Sequence, residues 1–137
     1  GIYLLQDVAE HDPERAAEVE KLLAMQSGCP AGDGLANVDN RGDVHLCPYW
    51  QSRTIGNVRE KKLSEIWFDE EIEILAKMRD KTRYLKDKCG RCKLSHLCMG
   101  CRVRAEVACG DPFGEDPACY LTEEEISGAK VRLHDRG

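Results

Sequence analysis

The chain has 137 residues, with 20 Lys and Arg against 25 Asp and Glu and a formal charge of −5 at pH 7. That length suits one domain, or one domain plus a fragment of another; an acidic chain lacks the basic footprint of a nucleic-acid binder, and no apolar run approaches the roughly 18 residues of a membrane-spanning helix. Of the 42% hydrophobic residues, eight positions are cysteine, so the remaining core is lean and covalent or metal links are expected to help hold the fold.

Ile2 to Leu5 is a short apolar run that reads as a buried strand. Asp12-Pro13 then starts a helix, with a capping side chain followed by proline at the first helical position. Ala16, Ala17, Val19, Leu22, Leu23 and Met25 follow at helical spacing, and Ser27-Gly28 ends it. One strand and one helix without a partner strand make residues 1–28 read as the tail of a preceding α/β domain. Leu35–Val38 and Val44–Leu46 are short strands around Asp39-Asn40-Arg41-Gly42, a strong hairpin signal. Thr54–Arg59 is a further extended piece. Residues 63–81 read as helix, broken near Asp69, with Ile66, Trp67, Ile72, Leu75, Ala76 and Met78 as its apolar stripe. The Lys88–Cys101 stretch is a cysteine loop entering a helix over 98–108, capped by Gly110. Thr122-Glu123-Glu124-Glu125 fits a capping box and a short last helix, and residues 128–137 read as a flexible tail.

The dominant signal is Cys89-Gly90-Arg91-Cys92, five residues, then Cys98-Met99-Gly100-Cys101. Zinc ribbons separate their two CxxC knuckles by about 15–20 residues, so that each approaches the ion from its own side. Dense CxxC spacing is what iron–sulfur ligation uses, because one loop can wrap a cluster. On one helix, Cys98 and Cys101 would stand at i and i+3 on a shared face. The spacing favours iron–sulfur, with zinc second and disulfides third. The start of the chain has neither the basic region nor the apolar length of a secretion signal, so metal comes before disulfide and a cytoplasmic location is expected.

Cys29 and Cys47 flank the hairpin, with Gly42 five positions before Cys47, and Cys119 follows a turn. The pattern C-x12-G-x4-C, gap, C-x2-C-x5-C-x2-C, gap, C resembles the SPASM domain, the C-terminal auxiliary-cluster domain of many radical S-adenosylmethionine (radical SAM) enzymes. The resemblance covers residues 29–127. One departure is the pair of residues between Cys98 and Cys101, where the commonest family spacing is three. The resemblance implies two iron–sulfur clusters of the 4Fe-4S kind, with non-sequential ligands. Cys89, Cys92, Cys98 and Cys119 would bind the outer cluster, and Cys29, Cys47 and Cys101 the inner one. Cys109, outside the family pattern, is either a further ligand or a small buried thiol. His45, near Cys47, is another candidate, and an open iron is the third.

The segments Ile55-Gly56-Asn57-Val58-Arg59-Glu60, Ser64-Glu65-Ile66-Trp67, Cys101-Arg102-Val103-Arg104-Ala105-Glu106 and Gly114-Glu115-Asp116-Pro117-Ala118-Cys119-Tyr120 resemble the tetrapyrrole-modifying branch. That branch includes the 12,18-didecarboxysiroheme deacetylase of alternative haem synthesis and its relatives in haem d1 synthesis. It implies an iron tetrapyrrole substrate, a radical SAM barrel on the same chain or upstream, and a protein electron donor or acceptor. Sister branches modify peptides. The sequence contains no CxxxCxxC, so S-adenosylmethionine cleavage is expected only through such a barrel.

Lys81, Arg83, Lys86, Lys88, Arg91, Lys93, Arg102 and Arg104 make the middle of the chain basic. Most read as a solvated face. Arg102 and Arg104, beside a candidate ligand, could neutralise cluster charge or pair with substrate carboxylates. Tyr49, Trp50 and Trp67 read as core or as shielding of a cluster. The fold expected is a small, cysteine-rich α+β domain, a β-hairpin and several helices organised around iron–sulfur clusters that replace a normal hydrophobic core. No nucleic-acid or membrane partner is expected. Zinc-binding interaction module and disulfide-stapled domain are the alternatives.

Overall fold

A computed structural model describes residues 1–26 and 28–128. The expected helix stop at Ser27 and the expected tail from 129 onward lie outside the described residues. The chain divides into two compact units, one of Gly1–Cys29 with the part from Thr82 onward, the other of Pro30–Lys81.

The first unit opens with a helix where a strand was expected. α1 runs over Ile2–His11, and Ile2, Leu5 and Ala9 are its buried residues. Their spacing of three and four matches one helical face, whereas a four-residue apolar run alone fits either element. Asp12 then separates α1 from α2 (Pro13–Gln26), and its Oδ1 accepts from the Arg15 N–H at 3.1 Å, as the Asp-Pro signal predicts. Ile2, Leu5, Ala9 and Ala16 form one apolar cluster with Leu94, Leu97, Leu121 and Ile126, and Cys92 and Cys119 pack against it. The unit therefore has an aliphatic core of its own. The expectation that clusters replace such a core is corrected.

The second unit carries an antiparallel sheet in the order β1-β2-β3. β1 (Asn37–Val38) pairs with β2 (Asp43–His45), Val38 opposite Val44. β3 (Thr54–Asn57) pairs with β2, with an irregularity between Val44 and His45. Asp39 Oδ1 accepts from the N–H groups of Arg41 (2.8 Å) and Asp43 (2.9 Å), which fixes the hairpin turn by side chain-to-backbone bonds. The expected break near Asp69 is present: α3 covers Leu63–Trp67 and α4 covers Glu73–Arg79. Leu46, Leu75 and Met78 converge on Gly32, and Trp50 is fully buried. Tyr49 is exposed, so it shields nothing. Trp67 lies under the Arg79 guanidinium, 4.9 Å from the ring centroid.

The remaining helices are short: α5 (Lys81–Tyr84) at the boundary, then α6 (Asp87–Arg91), α7 (Ser95–Cys98), α8 (Arg102–Cys109) and α9 (Glu123–Ile126). Thr122 closes the capping box at α9, its hydroxyl accepting from Glu125 and the Glu125 carboxylate from the Thr122 N–H. Helices and a small sheet make this an α+β protein. Among the described residues no helix is long and apolar enough to cross a membrane.

Candidate metal centre

The two CxxC segments form the middle of the first unit. Cys89 sits in α6, with Cys92 just past its end. The helix expected to carry both Cys98 and Cys101 is two elements: α7 stops at Cys98, and Cys101 is the N-cap of α8. Met99 (φ 57°) and Gly100 (φ 58°) are both left-handed and turn the chain between them. A Cβ at Gly100 would meet Arg102 Nη2 at 2.5 Å and Asp116 Cβ at 2.9 Å, so glycine is required there twice over, by backbone angle and by space.

Through this turn, α6 and the loop before Cys119, Cys92 and Cys98 come within electrostatic reach of each other and of Cys89 and Cys119. Cys92 senses the charge of Cys119, Cys98 and Cys89, and Cys98 that of Cys119 and Cys89. Desolvation raises the Cys92 and Cys98 thiols above the ordinary range, and the neighbouring sulfurs add to it. Against this stand N–H groups aimed at sulfur. Leu94 donates to Cys92 and Gly100 to Cys98. The Asp116 N–H donates to Cys89 Sγ at 3.4 Å, and Arg102 Nη2 at 3.6 Å. Donors around sulfur stabilise thiolate over thiol, and hydrogen bonds to ligand sulfur tune an iron–sulfur site.

Asp116 ties the site together. Its Oδ2 accepts from the Cys101 N–H at 2.7 Å and its Oδ1 from the Ala118 N–H at 3.0 Å. Arg104 grips both oxygens, Nε at 2.8 Å and Nη2 at 2.6 Å. Burial works to raise the Asp116 carboxyl, but Arg104 and the two N–H groups outweigh it and bring it down to about 2. Arg104 in turn holds its proton more tightly than usual. The sequence offered no sign of Asp116, because its partners lie 12 and 15 residues earlier; only its place three residues before Cys119 could have drawn notice.

Arg102 and Arg104 differ. Arg104 is half-exposed and paired with Asp116. Arg102 is fully buried. Other cations expected on a solvated face are also committed: Lys86 pairs with Asp111 at 2.6 Å, Arg91 with Glu123 at 2.8 Å, and Lys81 is buried.

Cys109 is exposed rather than buried. Its thiol donates to the Ala105 carbonyl at 3.1 Å and to that of Asp111 at 3.5 Å. His45 is a buried sheet residue, with Nδ1 3.1 Å from the Arg53 carbonyl and Nε2 3.6 Å from Asp39 Oδ2. Cys29 and Cys101, both half-buried, belong to the first unit, and the buried Cys47 to the second. Among the described residues no three His, Cys, Asp or Glu side chains gather as the ligands of a single ion. Cys92 and Cys98, each sensing the other and both Cys89 and Cys119, with N–H donors on three of the four sulfurs, fit a polynuclear cluster, which spreads its thiolates over several irons.

That donor set suits the iron–sulfur cluster-binding class of protein, and sequence comparison points the same way. Residues 29–93 match the model of the SPASM family, described as an iron–sulfur cluster-binding domain. The chain is 44% identical over 130 residues to Fe-coproporphyrin III synthase of Methanosarcina barkeri, covering 92% of this chain and 33% of that protein. It is 41% identical over 131 residues to pre-heme d1 synthase of Dinoroseobacter shibae, covering 94% and 32%. An AdoMet-dependent heme synthase of M. barkeri is 43% identical over 96 residues, covering 70% and 26%. The chain is thus similar to the haem-synthesis branch of the radical SAM enzymes, and spans about a third of the length of these curated relatives. No solved structure matches it significantly.

Proposed function

We propose that this chain is the auxiliary-cluster part of a radical SAM enzyme acting on an iron tetrapyrrole, and that Cys89, Cys92, Cys98 and Cys119 hold its outer 4Fe-4S cluster. The observation that carries this is that Cys92 and Cys98 lie within electrostatic reach of each other and of Cys89 and Cys119, with N–H donors aimed at three of the four sulfurs. The same reading gives Cys29, Cys47 and Cys101 to an inner cluster and residues 1–28 to the tail of a preceding barrel, on the cysteine pattern alone. Cys109 is left out of both ligand sets, because its thiol is engaged by carbonyls of its own segment.

When bound, an iron–sulfur cluster supplies one-electron transfer. The protein's part is to supply thiolates, to direct N–H dipoles at them, and to limit water beside Cys92 and Cys119 through the apolar cluster that both pack against. Relatives named for haem and haem d1 synthesis support a tetrapyrrole whose side chains are modified, with electrons exchanged with a protein donor or acceptor. The reducing cytoplasm suits such a site.

The test is iron, acid-labile sulfide and zinc in this chain purified anaerobically, beside its visible spectrum. About eight irons and eight sulfides per chain support two four-iron clusters. About four, lost on Cys89→Ser or Cys119→Ser, support the outer site alone. Zinc without sulfide, persisting after anaerobic reconstitution, refutes the reading in favour of an interaction module.

A further inference from the structure

Arg102 carries a positive charge into the interior of the first unit, and among the described residues its hydrogen bonds go to carbonyls and sulfur rather than to a carboxylate. The residue is completely buried. Nη1 donates to the carbonyls of Pro112 at 3.1 Å and Gly114 at 2.9 Å. Nη2 faces Cys89 Sγ at 3.6 Å. Nε is buried without a hydrogen-bond partner among the described residues. The Asp111 carboxylate senses Arg102 but is engaged by Lys86 and the Phe113 N–H, and Asp116 Oδ2 lies close to Arg102 Nη2, the two being 3.3 and 2.5 Å from where a Cβ on Gly100 would stand. Arg104, two residues on, shows the usual arrangement, a guanidinium met by both oxygens of Asp116 and half open to water.

A buried cation needs a nearby negative charge. Its direct contacts, two carbonyls and the Cys89 sulfur, supply none, and the nearby carboxylates of Asp111 and Asp116 are engaged by other donors. Thiolates on a cluster would, and the guanidinium is placed for them. It lies beside Cys89 from the first CxxC, and a Cβ on Gly100 would touch its Nη2, so it also fills the space under the turn between Cys98 and Cys101. The two carbonyl bonds on Nη1 lock it there.

We propose that Arg102 is a positioning residue for the redox state of the cluster held by Cys89, Cys92, Cys98 and Cys119, its guanidinium against Cys89 Sγ favouring the reduced form. The proposal rests on the ligand set given above. One electron from an external donor makes the cluster one charge more negative, with no bond broken and no proton required. A fixed cation beside a ligand sulfur, shielded from water, stabilises that added charge and raises the reduction potential.

The experiment is a dithionite titration of the anaerobically reconstituted full-length protein, followed by electron paramagnetic resonance, on wild type, Arg102→Gln and Arg102→Lys. Arg102→Gln removes the charge and keeps a donor; Arg102→Lys keeps the charge and loses the fork. With iron and sulfide contents equal, one cluster's midpoint should shift to more negative potential in Arg102→Gln and lie nearer wild type in Arg102→Lys. The other clusters should not move. Unchanged midpoints in fully loaded Arg102→Gln overturn the proposal. Should Arg102→Gln not fold, wild-type protein grown with guanidino-15N arginine decides it by pulsed resonance of the reduced state. A 15N coupling to the cluster supports the contact, and its absence refutes it. Wild-type protein that takes up no sulfide defeats the parent reading itself, a result distinct from a loaded cluster with an unmoved potential.

Discussion

Replacing Asp116 by asparagine changes two or three atoms and should loosen the turn that carries Cys101 and Cys119. The carboxylate accepts four hydrogen bonds, from the Cys101 and Ala118 N–H groups and from Nε and Nη2 of Arg104. Asparagine keeps one oxygen, which serves one backbone N–H and one guanidinium N–H; its amide nitrogen confronts the other two donors. Hydrogen bonds to a charged group are worth about 1.5–3 kcal/mol each. The lost backbone bond is buried, Asp116 being 5% exposed, and counts nearly in full. The lost arginine bond is discounted to below about 1 kcal/mol, because the half-exposed guanidinium can turn to water. The sum is about 3 kcal/mol, or roughly a hundredfold in a local opening equilibrium. Amide exchange reads such openings directly. In Asp116→Asn, exchange in the 98–119 segment should rise about a hundredfold, while α1 exchanges as in wild type. Arg104→Ala leaves both backbone N–H groups paired and should raise it by about tenfold or less. Equal exchange in Asp116→Asn and wild type, or a larger effect from Arg104→Ala, would refute the assignment of Asp116 as the tie between the two cysteine segments.

Gly100→Ala should abolish cluster loading, since its Cβ has no room beside Arg102 and Asp116, whereas Gly110→Ala, left-handed at φ 78° but with open space around it, should cost about 1 kcal/mol and load normally; iron and sulfide analysis separates the two. Cys109→Ala should leave iron and sulfide contents unchanged, and a loss of about four irons would place Cys109 among the ligands. Chelation of iron should remove exchange protection around Cys89–Cys92 and Gly100–Cys101, because site formation and local folding are coupled. Protection in α1 should persist, since its Ile2, Leu5 and Ala9 belong to an aliphatic core. Identical protection maps with and without iron would contradict this.

Signals that act over three or four residues were readable in the sequence. Asp12-Pro13 starts α2, Asp39 closes the hairpin turn, Thr122 and Glu125 cap each other, and Gly110 ends α8. Each is a side chain or a glycine meeting backbone groups of its own neighbourhood, so distant residues have no vote. Ile2–Leu5 reads equally as strand or helix, because four apolar residues satisfy either period; Ala9, Ala16 of α2, Leu94 and Leu97 decide for a helix. The expected helix through Cys98 and Cys101 fails for a related reason. Its helical spacing is sound, but two left-handed residues break it, and the Gly100 turn answers to Arg102 and Asp116 rather than to local propensity.

The cysteine spacing by itself favoured iron–sulfur over zinc and disulfides, because the number and proximity of thiols limit which metal centre a loop can wrap. With the flanking segments it also carried the resemblance to the SPASM family and its tetrapyrrole branch, with which the family match and the curated relatives agree. Only the tertiary structure decided how charge is disposed around those thiols. Read along the chain, Arg102 and Arg104 are equivalent cations two residues apart. In the fold one is sealed against Cys89 and the other is spent on Asp116. The physical reason is that burial and ion pairing depend on residues 10 to 13 positions away, which a one-dimensional pattern does not bring together.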